Sequence, residues 1–163
     1  MLFVLLWACD GSGKGDSETT APPINQDDSS APACEGTPPV ITAVNIMDGG
    51  SMITDEGTFP SLVVQADITD TTDQDLNSID MDLWFDTTVD GMVDTSTAAI
   101  SGEPQHIDGD LCNVASASFG LQLPVDGSLL EVQTTYEFAV VVYDGHSLPS
   151  EVAIASGTTP GAL

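Results

Sequence analysis

Aspartate supplies most of the chemistry available to this chain. Asp86, Thr88, Asp90 and Asp94 put side-chain oxygens at the first, third, fifth and ninth places of one short stretch. Met92 offers its carbonyl at the seventh place, and Gly91 sits at the sixth, where a loop closing on an ion must turn sharply. An all-oxygen set of this kind suits a hard cation, and calcium is the one cofactor the spacing suggests. The twelfth place holds Thr97 rather than an acid, and Asp90-Gly91 also reads as the turn of a β-hairpin. A second group is scattered over loops: Asp70, Asp73 and Asp75, then His106, Asp108 and Asp110, then Asp144 and His146. If the strands between them simply alternate up and down, these loops share one pole with Cys34 and Cys112. Carboxylates converging with two imidazoles would bind a divalent metal; Asp-rich loops are also ordinary solvated turns.

Nucleophilic catalysis finds little support. There is no Gly-x-Ser-x-Gly elbow, and Asp144, His146 and Ser147 stand too close in sequence for a triad of ordinary geometry. Lys14 is the only basic residue of the 163, so no Lys or Arg near the strands could meet an oxyanion. Against it stand 26 acidic residues, a formal net charge of −25. Such a surface repels phosphate backbones, which argues against nucleic-acid partners. A non-enzymatic protein is expected.

The N-terminus speaks to location. Leu2 to Ala8 is apolar, too short to span a bilayer, and stops at Cys9. Leu6-Trp7-Ala8-Cys9 resembles the bacterial lipobox, in which a small residue precedes the cysteine that is lipidated and becomes the new N-terminus. The resemblance implies a signal peptide over 1–8, a lipid-anchored Cys9 and a place at the cell envelope outside the cytoplasm. In an oxidising compartment the other two cysteines, Cys34 and Cys112, form a candidate disulfide. Closing that loop would be worth roughly 4–5 kcal/mol in the chain-entropy view. Residues 9–37 are Gly, Ser, Thr, Asp and Pro with few apolar partners, and read as a disordered tether reaching roughly 30 Å.

From residue 38 the pattern turns to period-two alternation broken by Gly, Pro and Asp, with no convincing helical period. Val40, Val44 and Ile46 mark a first strand, and Leu62, Val64, Ala66 and Ile68 a second. Ile79, Met81, Leu83 and Phe85, interleaved with aspartates, mark a third. A fourth is expected from Met92 to Ile100, and a fifth along Ala115, Ala117, Phe119, Leu121 and Leu123. Tyr136 to Tyr143, apolar on both faces, should be a central sixth, and Val152 and Ile154 belong to the last. Seven short strands over 38–158, with 159–163 as a tail, predict an all-β, antiparallel sandwich. Trp84 falls on the face of the aspartates, where it would stack on a ligand or be covered by a bulge or neighbouring loop.

Two further resemblances sharpen this. Leu130 through Tyr136 to Val140 resembles the tyrosine corner of fibronectin type III and Ig-like domains. That implies Leu130 packed beneath the sheet crossover and the Tyr136 hydroxyl bonded back to the connecting backbone. The stretch from Asp86 to Asp94 resembles the calcium loops of EF-hands, dockerins and thrombospondin type 3 repeats. The expectation is therefore an exported, lipid-anchored envelope protein carrying a non-catalytic binding or structural module, with a protein or glycan ligand at the envelope. Its alternative is a calcium-stabilised adhesion or spacer unit without a dedicated ligand.

Overall fold

The structure, a computed structural model, describes residues 36–107 and 112–163; Cys9, Cys34, Asp108 and Asp110 lie outside the described residues. Eight strands and no helix occur among the described residues: β1 (Val40–Thr54), β2 (Gly57–Thr69), β3 (Ser78–Asp86), β4 (Ile100–Ser101), β5 (Gln105–His106), β6 (Ser116–Pro124), β7 (Thr135–Tyr143) and β8 (Ala153–Thr158). They form an antiparallel sandwich. One sheet runs β1-β2-β6, the other β4-β3-β7-β8, with β5 also on β3.

The alternation seen in the sequence sorts side chains between the layers. Leu62, Val64, Ala66 and Ile68 of β2 face inward, as do Ile79, Met81 and Leu83 of β3 and Phe119 and Leu123 of β6. Against them β7 contributes Tyr136, Phe138, Val140 and Val142. Each large side chain so buried stabilises by about 1.5–3 kcal/mol relative to exposure. Phe85, Tyr136 and Phe138 meet at centroid distances of 5.5–6.2 Å, Phe85 edge-on to Tyr136. β7 lies between β3 and β8, and its outward residues Glu137, Ala139 and Val141 are buried as well. Apolarity on both faces does mark the central strand.

Two strands differ from expectation. The first continues beyond Ile46 to Thr54, because the apparent break at Gly49-Gly50 is a β-bulge: the register against β2 shifts between Asp48 and Gly50. Gly50 takes a φ of 73°, and the Asp48 carboxylate accepts its N–H. The expected fourth strand from Met92 to Ile100 is corrected to the two residues of β4. Asp94 explains the loss. Its carboxylate accepts both the N–H and the hydroxyl of Ser96, and such local side-chain bonds compete with a ladder. The seven expected strands become eight, as residues 100–106 follow the free edge of β3 in two short pieces. Val152 lies just before β8 and is exposed.

The chain remains packed beyond Thr158. Thr159 is buried, and its hydroxyl donates to the Glu131 carbonyl at 2.6 Å.

Candidate functional site

The sharp corners between strands deliver the chemistry. At one pole the β2–β3 connection (70–77) meets the β7–β8 connection (144–152). Val114 N–H donates to the Gln74 carbonyl, Gly145 N–H to the Asp75 carbonyl, and Ile107 N–H to the Asn77 carbonyl. Thr37 N–H donates to Asp73 Oδ2, so the entry to β1 arrives at the same pole. This backbone lacing carries Asp70, Asp73, Asp75 and Asp144 inside, all more than nine-tenths buried, although each is an acid.

Three of these carboxylates share a habit. Asp70 Oδ1 accepts the N–H groups of Thr72 and Asp73 at 3.1 and 3.2 Å. Asp144 Oδ1 accepts those of His146 and Leu148 at 2.9 and 2.8 Å. Asp75 Oδ2 meets His146 Nδ1 at 2.5 Å. In each case the second oxygen is buried without a hydrogen-bond partner: Asp70 Oδ2, Asp144 Oδ2 and Asp75 Oδ1. The Asn77 Oδ1 amide oxygen is in the same position. Ligating atoms of Asp75, Asp144 and His146 lie within 4.8 Å of one another, the only such metal-competent group among the described residues. Gly145 permits the close fit, since a Cβ there would stand 2.8 Å from the Asp75 carbonyl oxygen and 3.0 Å from Asn77 Oδ1.

The electrostatics follow from burial. Asp75 is pushed above the usual aspartate value, first by burial, then by the neighbouring Asp70 carboxyl and the charge of Asp144, with His146 opposing. Burial pulls Asp70 the same way, but the neighbouring Asp75 carboxyl and the backbone N–H groups of Asp73, Thr72 and Asp75 outweigh it and hold Asp70 low. His146 is raised, chiefly by its bond to Asp75 and then by the surrounding carboxylates. His146, half-exposed, is the only side chain at this pole among the described residues that could carry a positive charge.

The residues singled out in the sequence separate in space. Asp70, Asp73, Asp75, Asp144 and His146 do converge. His106 does not join them; it is exposed in β5, paired with Ser78. Sequence reasoning missed Asn77, whose signal was its place as third member of an alternating Asp73-x-Asp75-x-Asn77 run.

Of the stretch from Asp86 to Asp94, Asp86 closes β3 and the rest lies in the loop between β3 and β4. Asp86 and Asp90 each accept the N–H two residues on, from Thr88 and Met92, as Asp94 does from Ser96. Gly91 adopts a φ of 83° and, with Asp90, donates its N–H to Glu137 Oε2 at 2.8 and 3.2 Å. Met92 is 71% exposed. Trp84 is half-buried on the outer face of β3, and its indole N–H donates to the Thr97 carbonyl at 3.0 Å, so this loop covers the ring.

The expected bond of Tyr136 is present. Its hydroxyl accepts the Glu131 N–H at 2.9 Å, and Leu130 is fully buried beside it. Comparison with protein-family models, with curated protein sequences and with solved structures finds no match to this chain.

Proposed function

We propose that this is an exported, lipid-anchored envelope protein whose single sandwich is a non-catalytic binding or structural module of the Ig-like or fibronectin type III kind. The observation that carries the reading is the sequence order: an apolar run ending at Cys9, a polar Gly/Ser/Asp/Pro-rich stretch, then a sandwich beginning at Val40. Cys9 would take the acyl chains, and the tether expected over 9–37 would end before Gly36 and Thr37, which lie against the sandwich, together tying the domain to a membrane. The Ig-like reading draws support from the two strand orders and from the Tyr136–Glu131 bond over buried Leu130. Such a domain dictates no ligand by itself; a protein or glycan of the envelope is the partner class we assign.

A disulfide between Cys34 and Cys112 belongs to the same reading. Gly36 lies against Leu148 and His146, and Thr37 is bonded to Asp73. Both stand at the pole where Val114, two residues beyond Cys112, bonds to Gln74 and Leu76.

The test is lipidation in a bacterial host. The chain should incorporate labelled palmitate and partition into detergent, and Cys9→Ala should do neither. An unmodified Cys9 in the mature protein would overturn the reading.

A further inference from the structure

The buried acidic pole has only His146 as a counter-charge among the described residues. Asp70, Asp75 and Asp144 are buried to at least nine-tenths, and each leaves one oxygen without a donor. Removing a carboxylate from water without full compensation costs several kcal/mol, so an arrangement of three is not maintained without partners. The only basic residue of the chain is Lys14, outside the described residues, and His146 already spends Nδ1 on the other oxygen of Asp75.

A proton shared between Asp70 and Asp75, whose carboxyl groups lie within hydrogen-bonding reach, would serve two of the orphaned oxygens. It would leave Asp144 Oδ2 and the Asn77 amide oxygen as they are. A cation seated by Asp75 and Asp144, whose ligating atoms lie within 4.8 Å of one another, would supply the charge that such a proton does not. The orphaned set is oxygen only, three carboxylates and one amide, the donor chemistry of hard divalent ions.

We infer that this pole is a divalent-cation site, calcium foremost, with Asp70, Asp75, Asn77 and Asp144 as side-chain ligands. His146 meets the other oxygen of Asp75 and so orients that carboxylate. Gly145 keeps the Asn77 amide close to the loop that carries Asp144. The site involves none of the residues of the Asp86–Asp94 loop, and it stands independently of where the protein resides.

The experiment is thermal unfolding of the chelator-treated full chain in rising calcium, with terbium luminescence sensitised by Tyr143 as a second readout. Calcium up to about 10 mM, the upper range of extracellular sites, should raise the melting temperature by several degrees. Asp144→Asn and Asn77→Ala should each weaken the calcium response by about tenfold or more. Asp144→Asn should melt no lower than wild type in chelator, because it removes a buried negative charge while keeping an acceptor for His146 and Leu148. Asn77→Ala carries the test if the first variant does not fold. The double variant Asp86→Ala, Asp90→Ala should keep the full response. A calcium-inert protein overturns the assignment. So does a response that survives Asn77→Ala and Asp144→Asn but vanishes in the Asp86/Asp90 double variant. A zinc response lost with His146→Ala while calcium stays inert would overturn it as well, since the imidazole would then lead.

Discussion

The hydroxyl of Tyr136 performs a task that a phenyl ring cannot, accepting the Glu131 N–H at the turn into β7 while the ring packs on Phe85 and Phe138. Tyr136→Phe should therefore keep the fold and lose about 1–2 kcal/mol, read as a lower urea midpoint at unchanged slope. Asp67 works differently, on the open face of the three-stranded sheet. It accepts bonds from Ser118, Gln65 and Asn45, one residue from each of three strands, and these hold its carboxyl below the ordinary aspartate range. A lowered folded value means that the contribution is present above the unfolded value of about 3.9 and fades as pH falls through the folded one. An NMR titration should find Asp67 still ionised where exposed aspartates are half-protonated. Residues of this second kind were not legible in the sequence. Nothing in the type of Asp67 separates it from the many other aspartates; only register brings its three donors together.

At the scale of elements, strand identity was legible wherever alternation sorted a wet face from a dry one, as in β2, β3 and β6. It was also legible in β7, where apolarity on both faces announced a central position. It failed where side chains bonded to their own backbone. The stretch after Asp86 carries enough Val, Thr and Met to pass for a strand, yet its aspartates fold it into consecutive turns. What holds that loop down is buried Glu137 of β7, which receives the Asp90 and Gly91 N–H groups. Glu137→Ala should free the loop, speeding proteolysis between 87 and 98 and shifting Trp84 fluorescence to the red, with the β-sheet circular dichroism unchanged. The two sheets also close on each other through a glycine. A Cβ on Gly157 of β8 would stand 2.2 Å from Ile46 Cγ2 of β1. Gly157→Ala should cost about 1–3 kcal/mol, the range for overpacking, and an unchanged denaturation midpoint would show that β1 yields freely.

At the scale of the molecule, charge governs. A net −25 over 163 residues repels itself, and screening shortens from about 10 Å at 0.1 M salt to about 3 Å at 1 M. The melting temperature should rise between about 20 mM and about 1 M NaCl, and a flat response would mean that the surface charges are already compensated. The pole was legible as a gathering of loops, because alternating strands leave few other arrangements. Which acids become buried, and which oxygens go unpaired, was not. That depends on backbone donors such as Thr72, Asp73 and Leu148, whose direction no spacing rule supplies.

A crystal structure of the protein grown in millimolar calcium tests the account most directly. It should hold an ion at the acidic pole, with oxygens of Asp70, Asp75, Asn77 and Asp144 at about 2.3–2.6 Å between the two sheets' connecting loops. A pole with Asp70 and Asp75 bound to each other through a proton and no ion beside Asp144, or calcium seated instead between Asp86 and Asp94, would contradict it.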